Sequence, residues 1–240
     1  MRKSNFYIKI SGAFAVAVLL PLFFYFIVKH LSEGKLKMPR YYIVEHTDSS
    51  VENGKTKYDT IYHRIADVTL TNQLGQRVSL DSTLKGKILV IDFFFVNCPA
   101  ACPKLTSNMV LLQKAFTKDP KREYSLEKMV QFISITVNPA SDSVPVLRRY
   151  ADHYGADHDR WWFLTGDKRS IFNFAQNELH MVSGIGDGGA DDFMHTQSIV
   201  LVDTDRHIRG YYNGLDSTAV KHCADDIVLL TMEKEKKTKK

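Results

Sequence analysis

The feature that most constrains the fold is the run GKILVIDFFFV at residues 86–96, which is apolar along nearly its whole length. Valine, isoleucine and phenylalanine are common in β-strands, and an almost unbroken apolar run is typical of a strand that is covered on both faces. Covering both faces requires a layer of structure on each side of the sheet. The run therefore predicts a buried strand near the centre of the fold.

The chain after this run alternates between strand-like and helix-like segments. Strands are predicted in ADVTLTN, RVSL, MVQFISITV, RWWFLTG, SIVLVD and IRGYYNG. Helices are predicted over residues 103–116, in SVPVLRRYADHYG and RSIFNFAQNEL, and in the last amphipathic segment DSTAVKHCADDIVLLTMEK. This alternation, which closes on a strand pair and a final helix, indicates one α/β domain. The sequence contains no internal repeat and no sign of a second core.

The N-terminal region differs from this domain. Residues 10–28, ISGAFAVAVLLPLFFYFIV, carry no charge, and as a helix they would extend roughly 28 Å, close to the thickness of the hydrocarbon core of a bilayer. A cleaved signal peptide is the alternative, but the small residues lie inside the apolar run and not after it. We therefore expect an uncleaved transmembrane anchor over residues 10–28, preceded by a short cytoplasmic segment at 1–9.

The remaining boundaries are set by composition. Residues 29–62 are polar and rich in turn-forming residues, which predicts a stalk or N-terminal extension with one short strand. The domain is expected over residues 63–233 and a charged tail over 234–240. The net charge is +5, but the tail and the flanks of the apolar run hold much of the excess. A basic tail of this kind is usually solvated, so we expect no nucleic-acid partner.

Two of the three cysteines lie four residues apart in FFFVNCPAACPKLTSNM. Cys98 is expected in the turn that leaves the buried strand, and Cys102 directly precedes Pro103, a residue favoured at the first position of a helix. Unpaired backbone N–H groups and the positive end of the helix dipole meet at such a junction, so we expect a lowered cysteine pKa. Thiolates are both nucleophiles and metal ligands, and this position alone fits redox and metal chemistry equally.

The spacing also leaves alternatives open. A pair with two intervening residues at a helix start is the redox motif of thioredoxins, whereas three small intervening residues open the loop so that both sulfurs can face a common centre. A disulfide remains possible at this spacing. Cys223 falls in line with apolar residues of the last helix and is expected in the core. Three cysteines cannot form a four-thiolate zinc site within one molecule.

A soft metal bound by two thiolates would need a third ligand, and the chain has nine histidines. Most are expected on the surface. His195 differs because it comes after a loop rich in glycine and aspartate and lies just before the predicted strand SIVLV. A histidine that merely packs in a turn or in the core is the alternative. Two thiolates and an imidazole suit copper, since thiolates favour Cu(I) and imidazole binds either oxidation state.

Three segments together resemble the Sco/SenC family of membrane-anchored copper proteins: DFFFVNCPAACPKLTSNM, ITVNPASDSVPVLRRYADHYG and DDFMHTQSIVLVDTDRHIRGYYNG. The resemblance runs from about residue 63 to the final helix. It implies a thioredoxin-like fold, with a central mixed β-sheet flanked by helices, and copper ligands at Cys98, Cys102 and His195. It also implies delivery of copper to, or reduction of, the binuclear copper centre of cytochrome c oxidase subunit II, with the domain on the periplasmic side of the inner membrane.

The chain departs from the family pattern at two positions. Many members have aspartate in a V-D-P segment where this chain has Asn138, and many have an acidic residue before the histidine where it has Met194. Both changes remove a carboxylate that could orient or neutralise the site. Asp191 and Asp192 are the nearby acids that would compensate.

Four functions are compatible with these residues. The first is a copper metallochaperone that binds one copper, as Cu(I) or Cu(II). The second is a thiol–disulfide oxidoreductase in which Cys98 is the nucleophile and Cys102 the resolving cysteine. A peroxidase is disfavoured because Phe95 stands where such enzymes usually have threonine or serine. A redox or copper sensor that acts by binding alone stays open.

Overall fold

A computed structural model describes residues 17–28, 39–52, 55–99, 101–117, 126–181 and 197–238. The chain divides into two compact units, residues 1–38 and 39–240. In the first unit, residues 17–28 form a helix, α1, which carries large exposed apolar side chains. None of the helices in the described ranges is both long and apolar enough to cross a bilayer. Residues 10–16 of the expected anchor lie outside these ranges.

The second unit begins with an antiparallel hairpin of two strands, β1 (Val44–Glu52) and β2 (Lys55–Tyr62). The prediction of one short strand in this part of the chain was therefore wrong. The missed signal is local: Asn53-Gly54 stands between the two strands, and Asn-Gly is among the strongest sequence signals for a two-residue hairpin turn. Nearly all side chains described in β1 are exposed, which is why the segment looks as polar as a linker.

Seven further strands form one mixed sheet in the order β4-β3-β7-β6-β5-β8-β9. Their bounds are β3 (Thr69–Asn72), β4 (Arg77–Ser79), β5 (Ile88–Phe94), β6 (Val130–Thr136), β7 (Trp161–Thr165), β8 (Ser198–Val202) and β9 (Ile208–Asn213). Strands β5, β6 and β7 are parallel, while β8 pairs with β5 in the antiparallel direction. Every strand that the sequence predicts in this domain is present, and the mixed sheet is confirmed.

The helices lie between these strands as the sequence predicts. They are α2 (Ala101–Ala115), α3 (Val144–His153), α4 (Lys168–Asn173) and α5 (Ser217–Thr238), with a short 3₁₀ turn at Leu126–Lys128. Two details differ from the prediction. Helix α2 begins at Ala101 and not at Pro103, and the segment RSIFNFAQNEL changes from α-helix to a π-helical turn at Phe174–Glu178.

All seven residues of β5 are buried, and their side chains alternate between two cores. Leu89, Ile91 and Phe93 contribute to the core that includes β3, β4 and α4. The even-numbered positions face the other core, which α2, α3 and α5 cover. The apolar run is thus a central strand covered on both faces, as predicted.

The strand directions bring three loops to one edge of the sheet. Strands β5 and β6 run parallel, so the turns after them leave from the same edge. Because β8 runs antiparallel to β5, its first residues lie beside the end of β5. The cysteine turn, the loop after β6 and the start of β8 therefore share this edge, which we call the functional edge of the sheet.

The packing of α2 against β5 predicts a sharp contrast between two of its residues. Met109 is fully buried whereas Leu111 is 58% exposed. Met109→Ala should lower the free energy of unfolding by about 2–4 kcal/mol, because it leaves a cavity. Leu111→Ala should change it by less than about 0.5 kcal/mol. Chemical denaturation of the two variants measures both values, and equal losses would contradict the packing described here.

Candidate functional site

Cys98 and Cys102 lie next to each other at the junction of β5 and α2. Cys98 is in the turn and is partly exposed, while Cys102 is in the first turn of α2 and is 7% exposed. The backbone N–H of Cys102 donates to the Sγ of Cys98 over 3.4 Å, and the two side chains also interact. Neither cysteine is part of a disulfide. The Cys98 sulfur thus accepts a hydrogen bond from one of the backbone N–H groups that a helix N-terminus leaves unpaired.

The pKa expected for Cys102 was wrong in direction. Burial among apolar side chains raises the pKa of Cys102 to about 12, and the interaction with Cys98 adds to this effect. A backbone hydrogen bond at Phe95 lowers the pKa but does not offset the burial. Loss of solvent disfavours the thiolate more than this hydrogen bond favours it. Cys102 is therefore protonated in the absence of a metal or an attacking disulfide.

His195, the third predicted ligand, lies outside the residues that the structure describes, as do Met194, Asp191 and Asp192. Its C-terminal neighbourhood is well defined. The carbonyl of Gln197 accepts a hydrogen bond from the backbone N–H of Gly214 over 2.7 Å. The carbonyl of Gly214 in turn accepts from the side chain of Asn108, a buried residue of α2, over 2.6 Å. These bonds fix the entry to β8 against the helix that carries Cys102.

Cys223 is completely buried in α5, and burial raises its pKa, so its assignment to the core is confirmed. Across the described ranges, no three histidine, cysteine or acidic residues are arranged to hold a metal ion.

A buried acid that was not among the predicted site residues lies on the same side of the sheet as α2. Asp92 of β5 is fully buried, and its Oδ1 accepts a hydrogen bond from Ser134 over 2.5 Å. The Ser134 hydroxyl itself accepts from the indole N–H of Trp161. Oδ2 of Asp92 has no hydrogen-bond partner among the described residues. Burial raises the pKa of Asp92 to about 7, and its charge disfavours ionisation of Cys102.

A second buried acid, Asp142, lies in the loop after β6 and is 1% exposed. It accepts hydrogen bonds from the Thr136 hydroxyl and from the backbone N–H of Val96, which lies two residues before Cys98. Asn138, the departure from the family pattern, lies in the same loop. Asp92 was visible in the sequence as the single acidic residue within the apolar run. Nothing local distinguishes Asp142, because its partners come from other segments.

Comparison with known proteins identifies relatives of this chain. The family model SCO1/SenC matches residues 58–229. The SCO1 protein homolog of Bacillus subtilis (strain 168) is 32% identical over 175 residues, which cover 72% of this chain and 86% of the relative. A protein of Stutzerimonas stutzeri named "Putative copper-binding protein" is 28% identical over 61% of this chain and 68% of its own length. The chain spans about half the length of the mitochondrial relatives it matches.

Solved structures agree with this result. The structure of BsSco, described as a member of the Sco family of cytochrome c oxidase assembly proteins with a disulfide switch, superimposes with a TM-score of 0.55 at 30% sequence identity. The superposition covers 69% of this chain and 93% of BsSco. The thioredoxin-like architecture with its central mixed sheet is therefore the fold of this chain.

The buried carboxyl of Asp92 predicts a pH-dependent stability. In the unfolded chain this group ionises near its ordinary pKa of 3.8, but in the folded protein it keeps its proton up to about pH 7. Folding stability is therefore lost as the pH rises between these values and is constant above them. Asp92→Asn has no proton to lose. Its free energy of unfolding, measured relative to that of the wild type, should therefore increase by on the order of 2–4 kcal/mol between pH 4 and pH 8.

Denaturant unfolding at pH 4, 6 and 8 measures this difference. The exposed Asp159 provides the control, because Asp159→Asn should shift the unfolding free energy by less than about 0.5 kcal/mol. A gap between Asp92→Asn and the wild type that does not widen with pH would contradict the assigned burial of the charge.

Proposed function

The chain belongs to the SCO1/SenC family, and from this premise we propose that it is a copper-binding protein that acts in the assembly of cytochrome c oxidase. In this proposal Cys98, Cys102 and His195 hold one copper ion as cargo. The acceptor is the binuclear copper centre of subunit II. The anchor over residues 10–28 keeps the domain at the periplasmic side of the inner membrane.

The observation that carries the proposal is the pair of thiols at the functional edge. The hydrogen bond from the Cys102 N–H to the Cys98 sulfur, together with the contact between the side chains, holds both sulfurs at one place. Two thiolates are the donor set that soft Cu(I) prefers. The partly exposed Cys98 gives a partner protein access to the metal, whereas Cys102 is shielded by the core. The residues present therefore fit copper.

The chain path supports His195 as the third ligand. Its position is three residues before Ser198, the first residue of β8, and three residues of chain span at most about 10 Å. The start of β8 lies beside the end of β5, the end from which the chain enters the cysteine turn. We therefore expect the imidazole of His195 on the same edge of the sheet as the sulfurs. An imidazole would also allow the site to hold Cu(II).

The relatives support the choice of metal and process. The protein from Stutzerimonas stutzeri is named for copper binding, and BsSco is described among cytochrome c oxidase assembly proteins. When bound, copper would be released by exchange of thiolate ligands with an acceptor that also presents thiolates. Before binding, Cys102 has to lose its proton, because burial keeps its pKa at about 12. Copper binding should therefore release protons.

A second candidate, thiol–disulfide exchange, is favoured by Asp92. The thiolate of Cys98 would attack a disulfide of a target and release one target thiolate. Cys102 would then attack the Cys98 sulfur, which forms the Cys98–Cys102 disulfide and releases the second target thiolate. The proton of Cys102 has to leave in this step, and Asp92, with a pKa of about 7, is a nearby acceptor. The same chemistry would reduce the cysteines of a copper acceptor before metal transfer.

Copper titration of the full-length protein tests the metal proposal. We expect one Cu(I) per chain, measured by competition with a chromogenic Cu(I) chelator. Cys98→Ala and Cys102→Ala should abolish tight binding, and His195→Ala should weaken it by about tenfold or more. A Cu(II) form should show a thiolate-to-copper charge-transfer band that His195→Ala alters. His222→Ala, which removes an exposed histidine of α5, is the matched control and should bind as the wild type does.

Unchanged copper affinity and an unchanged charge-transfer band in His195→Ala would contradict the ligand assignment. Retention of stoichiometric binding after loss of either cysteine would contradict the site itself.

Thiol exchange is tested separately and without metal. Cys102→Ser should trap a mixed disulfide between Cys98 and an oxidised dithiol peptide, because the resolving thiol is missing. Cys98→Ser should trap none, since the remaining Cys102 is buried and protonated. Mass spectrometry of the products identifies the linked cysteine. Equal trapping by the two variants would exclude the assigned order of attack.

A further inference from the structure

Asp142 connects the two loops at the functional edge. Its Oδ2 accepts a hydrogen bond from the hydroxyl of Thr136, the last residue of β6, over 2.5 Å. The same oxygen accepts from the backbone N–H of Val96 over 3.2 Å. Val96 lies in the cysteine turn, two residues before Cys98, whereas Asp142 lies just before α3. One carboxylate oxygen thus joins the turn that carries Cys98 to the end of the neighbouring strand.

The carboxylate is itself held in place. The backbone N–H groups of Asp142 and Ser141 both donate to the carbonyl of Asn138. The backbone N–H of Asn138 donates to the Thr136 hydroxyl oxygen over 3.0 Å. The Thr136 hydroxyl therefore accepts a hydrogen bond from Asn138 and donates one to Asp142. Asn138, where the family pattern has aspartate, contributes to this network through its main chain.

Burial makes these contacts consequential. Asp142 is 1% exposed and Thr136 is completely buried. Removing the carboxylate would leave the Thr136 hydroxyl without this acceptor in a place with little access to water, and the Val96 N–H would lose the bond that draws the turn toward β6. Buried polar groups without a partner are strongly disfavoured. The turn would then shift to find other partners, and Cys98 would shift with it.

We infer that Asp142 is the positioning residue of the thiol site: its buried carboxylate fixes the turn of Cys98 through Val96 and Thr136, and so sets the distance between the two sulfurs. The effect of Asp142 on copper binding rests on the proposed function, whereas its effect on the two thiols does not. Asp142 touches neither sulfur and acts only through the backbone of the turn.

Two substitutions separate the hydrogen bonds from the charge. Asp142→Ala removes both hydrogen bonds. Asp142→Asn removes the charge but keeps one carbonyl oxygen, which can accept from both Thr136 and Val96. If hydrogen bonds position the turn, Asp142→Ala should alter the reactivity of the thiols, and Asp142→Asn should restore it. Thr136→Val and Thr136→Ser form a second pair with a smaller change in packing. Valine removes the two hydrogen bonds of the Thr136 hydroxyl, to Asp142 and from Asn138, whereas serine keeps them.

Asp167→Ala is the matched control. Asp167 also precedes a helix, α4, and its carboxylate accepts the backbone N–H and the hydroxyl of Ser170. Its loss should destabilise the protein without reaching the cysteine turn. A purely structural role for Asp142 would give the same pattern as this control.

The readouts are the alkylation rate of Cys98 in the metal-free full-length protein, the reduction potential of the Cys98–Cys102 pair, and Cu(I) affinity. Peptide mapping after a short iodoacetamide pulse separates Cys98 from the two buried cysteines. Asp142→Ala should change the alkylation rate by about threefold or more, shift the potential, and weaken Cu(I) binding by about tenfold. Asp142→Asn should return the rate and the affinity to within about twofold of the wild type.

The inference is overturned if Asp142→Ala matches Asp167→Ala, with lower stability but unchanged alkylation rate and potential. It is also overturned if Asp142→Asn is as defective as Asp142→Ala, because the charge would then be required and not the acceptor. If Asp142→Ala does not fold, the same comparison is made with Thr136→Val and Thr136→Ser. A wild type that binds no copper would refute the proposed function, while the thiol readouts would still decide the role of Asp142.

Discussion

The junction between β5 and α2 is the feature on which the rest of the site depends. A strand buried on both faces ends at the functional edge, and after a short turn the chain enters a helix whose first N–H groups need acceptors. The Cys98 sulfur accepts one of them, from Cys102. The bond that caps the helix thus also brings the two thiols together. In the proposed function, metal binding and thiol exchange would both start from this pairing.

Burial determines the protonation of Cys102, the inner cysteine of the site. The pKa of Cys102 is raised to about 12 and that of Asp92 to about 7. Cys102 is therefore shielded and protonated in the resting site, and Asp92, an acid with an intermediate pKa, lies near it. In the proposed function, the incoming metal would supply the free energy for ionisation of Cys102, which would couple copper loading to pH.

The sequence predicts the sheet strands, the helices and the position of the cysteine turn, because apolar periodicity and local composition determine them. It does not predict the raised pKa of Cys102, since burial in the core is a tertiary effect. The hairpin of β1 and β2 was missed because its exposed, polar residues resemble a linker. Asp142 has no local signature, because its partners are Thr136, at the end of β6, and Val96, in the turn after β5.

The proposed function depends most on one copper ion being bound by two sulfurs and one imidazole on this edge. X-ray absorption spectroscopy at the copper edge, on the loaded full-length protein and on His195→Ala, tests it most directly. We expect two sulfur ligands and one imidazole nitrogen per copper in the wild type, with loss of the imidazole scattering in the variant. Copper with fewer than two sulfur ligands, or identical spectra from the two proteins, would contradict this coordination.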